Sequence, residues 1–255
     1  MRLKIGFART IPAIGKMAEI GLTGPAAVGL GFSRWFTRVL AGVVFVTVAV
    51  VLQGQAPAQH GRLPNVTEYL DQLERPERDQ YQKPAEVILA LGLKPGMIVA
   101  DLGSGSGYFT RRFVEAVTET GKVYAIDVEP EALKHVKDSV EHMHIPYTAE
   151  FVQAQPDNPK LPFESVDLIF LCNVYHHLEN RTTYFTNVKS ALKPGGRIAI
   201  IDFYHDERSG DLGFSKTHLV PRETVLDEMT KAGYRLLREH SFLPKQYFLE
   251  FAPVS

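Results

Sequence analysis

Hydrophobic and polar positions along residues 84–251 switch repeatedly between two patterns. One is a short run apolar enough to be buried on both sides, as at 97–102 and 166–172. The other is a longer stretch whose apolar residues recur every three or four positions, as Phe109, Phe113 and Val117 do. Runs of the first kind predict strands at 97–102, 122–127, 151–154, 166–172 and 198–203, and two more at 234–242 and 247–251. Stretches of the second kind predict helices at 84–91, 108–117, 131–142, 181–192 and 221–232, with 211–218 as a loop or lid. Their ends are punctuated by Pro84 at an early helical position and by Gly92, Gly121 and Gly233 beyond the last turns. Strands alternating with helices predict an α/β fold, a doubly wound sandwich around a mostly parallel sheet.

The pattern changes upstream. Residues 62–82 are charge-rich, with Tyr69, Leu70 and Leu73 at helical spacing, and predict a solvated helix interrupted at Pro76 that serves either as a connector or as a cap. Residues 39–52 carry no charge, follow Arg34 and Arg38, and precede a polar, small-residue segment. At about 1.5 Å per residue this run falls short of a roughly 30 Å hydrocarbon core, so it reads as a secretory hydrophobic region cleaved after Ala56 or Ala58, with an uncleaved signal anchor as the alternative. The expected organisation is a membrane-targeting leader (1–58), a linker and N-terminal cap (59–83) and an α/β domain (84–255). Membrane association through 39–52 and an exported, periplasmic location follow, or a cytoplasmic one if the true start differs; the long basic leader makes an internal start, as at Met17, an option.

Composition narrows the chemistry. A hydrophobic content of 45% supports a core, and a net charge of -1 gives no electrostatic reason to expect nucleic acid. The single cysteine, Cys172, excludes an internal disulfide framework and a Cys-rich metal site. His176, Asp202, His205 and Asp206 all follow strand ends, but no compact metal spacing is present and no metal is expected.

The most informative stretch is Asp101-Leu102-Gly103-Ser104-Gly105-Ser106-Gly107, where a strand runs through alternating glycines into a helix. It reads as a turn whose backbone N–H groups cradle a ligand at the carboxyl edge of the sheet. A dinucleotide fingerprint needs a third glycine where this chain has Tyr108 or Thr110, and a P-loop needs a Lys-Ser/Thr pair where it has Tyr108-Phe109. The remaining D-x-G-x-G-x-G pattern resembles motif I of the class I S-adenosylmethionine (SAM) dependent methyltransferases. The Leu192-Lys193-Pro194-Gly195-Gly196 turn resembles the one before the fifth strand of their small-molecule members, and the resemblance covers residues 84–251. It implies a seven-stranded sheet with an antiparallel terminal strand, and SAM as cofactor. By the same resemblance, Asp101, Gly103, Ser104, Gly105 and Gly107 meet its aminoacyl end, Gln155 or Asp157 its adenine, and Asn173 lies where the family's motif IV begins. Asp127, about 20 residues past the glycine turn, is placed to bind the ribose hydroxyls through its two oxygens.

The expected function is methyl transfer to a small-molecule acceptor, with His176 as the candidate base because imidazole titrates in the useful range. Asn173 is followed by Val174 rather than the Pro-Pro of base-amino methylation, Cys172 lacks the preceding proline of cytosine C5 methylation, and Glu179 lacks the second glutamate of arginine methylation. Competing readings are a non-catalytic SAM-binding module tethered to the membrane, a nicotinamide-dependent oxidoreductase and an aminopropyl transferase. Oligomeric state is not legible.

Overall fold

Strands β1 (Ile98–Leu102) and β4 (Val166–Cys172) lie side by side, parallel, in the middle of a seven-stranded sheet of order β3-β2-β1-β4-β5-β7-β6. Its other members are β2 (Lys122–Asp127), β3 (Ala149–Gln153), β5 (Leu192–Phe203), β6 (Tyr234–His240) and β7 (Gln246–Pro253). The computed structural model describes residues 65–143, 148–212 and 215–254. The leader, 1–58 with its apolar run 39–52, lies outside the described residues, and among those described no helix is long and apolar enough to cross a membrane.

Alternation along the strands builds two cores. Val99 of β1, Leu168 and Phe170 of β4 and Ala199 and Ile201 of β5 face α3 (Pro84–Leu91), α4 (Tyr108–Val117) and α5 (Pro130–Glu141). Ala100, Leu102, Ile169, Leu171, Ile198 and Ile200 point the other way, against α6 (Arg181–Val188) and α7 (Arg222–Lys231). Phe109 and Phe113 of α4 meet Phe170 edge-on at 4.7 and 5.0 Å between ring centroids, fixing how α4 lies on the sheet. With α4 fixed, the glycine turn that feeds it is fixed too. Strand β7 runs antiparallel between β5 and β6, which gives the doubly wound sheet its reversed terminal strand.

The structure departs from the sequence expectation in two places. The helix expected over 181–192 stops at Val188 and passes through a 3-10 turn, and Leu192 already pairs with Val166; Lys193, Pro194, Gly195 and Gly196 lie within β5, which rejoins the ladder at Arg197 opposite Leu168 after a register shift. The segment before Pro84 forms two helices, α1 (Val66–Leu73) and α2 (Glu77–Gln82), and it is not merely solvated. Leu70, Arg78 and Gln82 are buried.

The β1–α4 turn and the residue after Asn173 pass very close. Gly103 has φ +74, and a Cβ there would sit 2.3 Å from Cγ2 of Val174. Gly103→Ala is therefore expected to cost about 1–3 kcal/mol in urea unfolding. Combined with Val174→Ala, the pair is expected to fall short of the sum of the single losses by more than about 0.5 kcal/mol. Strict additivity would show that the close approach does not set the glycine requirement.

Candidate functional site

The glycine turn is held by the end of its neighbouring strand. The amides of Gly103 and Ser104 both donate to the Ile126 carbonyl, at 2.8 and 2.9 Å, and Gly107 donates to Ser104 at 2.8 Å. The Gly105 amide donates to Asp127 Oδ2 at 2.8 Å, while Oδ1 of the same carboxylate accepts the Glu129 amide at 3.0 Å. This corrects the expectation that these amides grip a ligand: four of them are committed inside the protein. What the turn offers instead is acceptor chemistry and room. Two carboxylates flank it, Asp101 and Asp127, and neither forms an ion pair with a described residue. The hydroxyls of Ser104 and Ser106 are buried and lack a hydrogen-bond partner.

Asp101 lies almost wholly buried at the tip of β1, accepting the Thr110 hydroxyl at 2.6 Å. Burial pushes its carboxyl up to about 7, against the opposing pull of Thr110 and of the Arg78 charge, and Asp127 adds to the rise. Burial likewise raises Asp127, opposed by the amides of Glu129, Gly105 and Val128.

A cap closes on this turn. Leu73 packs over Gly105, where a Cβ would lie 2.9 Å from its Cδ1. Glu74, just past α1, takes both oxygens' worth of hydrogen bonding from Arg111 at 2.8 and 2.7 Å, and Asp79 of α2 accepts the Tyr108 hydroxyl. Arg111 also donates to the Ser106 carbonyl at 3.0 Å, so the cap, the turn and the first turns of α4 form one unit. At the far end of α2, buried Gln82 donates to Gln246 at 2.9 Å, and Gln246 donates to Asn173 Oδ1 at 2.6 Å. Asn173 thereby holds its left-handed φ of 59° at the end of β4, a conformation asparagine tolerates.

Three residues on, His176 sits in a 3-10 turn over the end of β5. Its Nδ1 lies 2.8 and 2.9 Å from the two oxygens of Asp202, and its own amide donates to the same carboxylate at 3.2 Å. A carboxylate only accepts, so Nδ1 carries a proton, and in the neutral form of the ring Nε2 keeps its lone pair. The imidazole side chain is 5% exposed and Asp202 is fully buried, with the Phe203 amide as a further donor at 2.8 Å. His177 is exposed beside it, ring centroids 4.1 Å apart, and the His218 ring lies 6.3 Å from His176.

The sheet edge thus gathers Asp101, Gly103, Ser104, Gly105, Gly107 and Asp127 around one turn, with Asn173 and His176 following the next strand end. Gln155 stands apart: it is exposed beyond β3, and its backbone is bonded in both directions to Asn158. Asp202 was readable only as a strand-end acid, yet the β4–β5 register, which pairs Cys172 with Ile201, places it beside the residues after Cys172. Arg78, Gln82 and Gln246 carry no sequence signal, because a polar residue in a polar stretch reads as solvated. Among the described residues no group of three or more His, Cys, Asp or Glu is arranged to hold a metal ion.

Asp101 makes stability depend on pH in a direction opposite to that of a salt-bridged carboxylate. Folded chain keeps a proton that unfolded chain releases above its ordinary value of 3.8, so this contribution is full below that pH and is lost as pH rises through about 7. Asp101→Asn is expected to gain on the parent by a few kcal/mol, to order of magnitude, between those limits when unfolding free energies are followed against pH. Parallel curves for the two chains would contradict the raised carboxyl.

Residues 100–200 match the family model described as a methyltransferase domain. Over 151 residues the chain is 27% identical to the ubiquinone/menaquinone biosynthesis C-methyltransferase UbiE of Escherichia coli O1:K1 / APEC, a match that spans 58% of this chain and 60% of that relative's length. The structure of a SAM-dependent methyltransferase from Aquifex aeolicus superposes with a TM-score of 0.68 at 28% identity, covering 74% of this chain and 99% of that one. The [4+2]-cyclase SpnF shares the fold, with a TM-score of 0.57 at 14% identity over 67% of this chain and 80% of that one. The glycine turn, the reversed β7 and the matched domain agree: residues 100–200 are similar to a methyltransferase domain, the sheet is that of the class I S-adenosylmethionine-dependent methyltransferases, and SAM is the cofactor that this likeness implies.

Proposed function

We propose that the chain transfers the SAM methyl group to a small-molecule acceptor, with the His176–Asp202 pair as base. Support for the cofactor half lies in the chemistry of the turn. Unpaired carboxylates and orphan hydroxyls suit a cationic nucleoside, whereas committed amides leave no anion cradle for the pyrophosphate of a nicotinamide cofactor. Asp127 keeps lone pairs for the ribose hydroxyls, Asp101 suits the amino group, and Ser104 and Ser106 supply the polar lining.

Bound SAM supplies an electrophilic methyl on a sulfonium, so the protein's task is alignment and proton removal. Asp202 fixes the His176 ring and tautomer, and Nε2 takes a proton from the acceptor as its nucleophile develops. The cap helices exclude water by seating Leu73 on Gly105 and tying Glu74 and Asp79 to α4. The UbiE relatives are C-methyltransferases of quinone biosynthesis, which makes a hydroxylated aromatic ring the first acceptor to try: deprotonating its hydroxyl enriches the ring carbon in electrons.

The observation that carries the catalytic half is the buried His176–Asp202 pair, which a purely binding module does not need. The fold alone would not decide, since the [4+2]-cyclase SpnF shares it. The test is release of S-adenosylhomocysteine from SAM by the full chain with a panel of phenols, quinols, thiols and amines. His176→Ala and Asp202→Asn are expected to lower kcat by roughly 10²–10⁴-fold while S-adenosylhomocysteine affinity stays within about twofold. Absence of release with every acceptor, in a chain that binds SAM, would support the binding-module reading, and an unaffected His176→Ala would remove the base.

A further inference from the structure

Lys245 immediately precedes β7, at the same edge of the sheet as the site, because β7 opens opposite the end of β5 with Gln246 paired to Phe203. Its backbone is fixed there. The Tyr204 amide donates to the Lys245 carbonyl at 3.1 Å, and the next side chain, Gln246, is the one that joins Gln82 to Asn173. Lys245 is half-buried and its ammonium reaches the cap, lying 5.5 Å from the centroid of the Tyr81 ring of α2, while a Cβ on Gly210 would come within 3.7 Å of it. It forms no ion pair with a described residue. The neighbouring cations are answered: Arg208 holds Asp206 at 2.6 Å, and Lys216 donates to the Asp206 carbonyl at 2.9 Å. A ring face answers the charge of Lys245 only weakly.

Strand order says what this ammonium faces. The glycine turn follows β1, the base follows β4, and the next strands in the sheet are β5 and β7, so an acceptor in line with the methyl group lies past β4, over the ends of β5 and β7. Two consecutive residues at the end of β5 serve that region. Asp202 holds the His176 ring, and Phe203, whose amide donates to Asp202, backs the Tyr81 ring at 5.8 Å between centroids. Tyr81, Phe203 and Lys245 therefore make an aromatic wall that ends in one unanswered positive charge, next to the proton-transfer pair.

We infer that the acceptor is an aromatic acid, seated with its ring against Tyr81 and its carboxylate on Lys245. The inference rests on the reading that this sheet edge transfers a methyl group from SAM, and it narrows the acceptor to one that carries a single negative charge. A carboxylate is the match because one ammonium balances one charge, whereas a phosphate monoester carries nearly two. Lys245 is a specificity residue in this scheme: it reads the part of the acceptor that does not react, and the binding energy goes into orienting the part that does.

Calorimetry on the full chain saturated with S-adenosylhomocysteine reads the subsite without turnover. The probes are 3-hydroxybenzoate, 4-hydroxybenzoate and 4-hydroxyphenylacetate, each against its neutral amide. The parent chain is expected to bind at least one acid about tenfold or more tighter than its amide. Lys245→Met keeps the packing on Tyr81 and removes the charge, and it is expected to bring that acid and amide within about twofold of each other; Lys216→Met, which removes a neighbouring cation, is expected to retain the preference. A parent chain that binds S-adenosylhomocysteine but prefers no acid overturns the inference and leaves the SAM reading standing. A preference that survives Lys245→Met overturns it too, as does one lost equally in Lys216→Met, which would mark diffuse charge and not a subsite. Should Lys245→Met fail to fold by circular dichroism, Lys245→Gln decides by the same comparison. A parent chain that binds no S-adenosylhomocysteine would overturn the SAM reading itself, and the subsite with it.

Discussion

The end of β2 governs the site. One carbonyl, that of Ile126, takes two amides of the glycine turn, and the next side chain, Asp127, takes a third, so the turn cannot move without the sheet. That arrangement sets both geometry and chemistry. Glycines give the turn its positive φ angles and allow Val174 and Leu73 to approach where a Cβ would not fit, and the same hydrogen bonds withdraw the donors that an anion would require. A strand-turn-helix unit usually associated with phosphates is thereby converted into one that suits positive charge.

The remaining parts are arranged around that fixed point. Aromatic packing of Phe109 and Phe113 on Phe170 sets α4, α4 presents Tyr108 and Arg111, and these receive the cap through Asp79 and Glu74. A second line runs from the cap through the buried amides of Gln82 and Gln246 to Asn173, reaching the strand end that leads to His176. Such a chain of buried amides fixes one arrangement, since each broken link strands a polar group away from water. The cap is thus hydrogen-bonded to Asn173, three residues ahead of the His176–Asp202 pair.

Most of the fold was legible because periodicity is a local property. The apolar runs at 97–102 and 166–172 could only be central strands, and Asp101, Gly103 and Asp127 sit where the spacing put them. Two kinds of feature were not legible. The Lys193-Pro194-Gly195-Gly196 segment looks like a turn, but a register shift absorbs it into β5. Arg78, Gln82 and Gln246 owe their burial to tertiary packing, which composition does not report, and Asp202 acquires its role only from the parallel register that sets it beside His176. The glycines lie in the turn where the spacing puts them, but their amides are not the free donors expected, because sequence shows where amides are and not what they are bonded to.

The central claim is that this sheet edge selects a cationic nucleoside over an anionic dinucleotide. The most direct measurement is a thermal-shift competition on the full chain between SAM and NADH. The account predicts a concentration-dependent stabilisation by SAM that NADH neither reproduces nor displaces; stabilisation by NADH that SAM fails to match would contradict it.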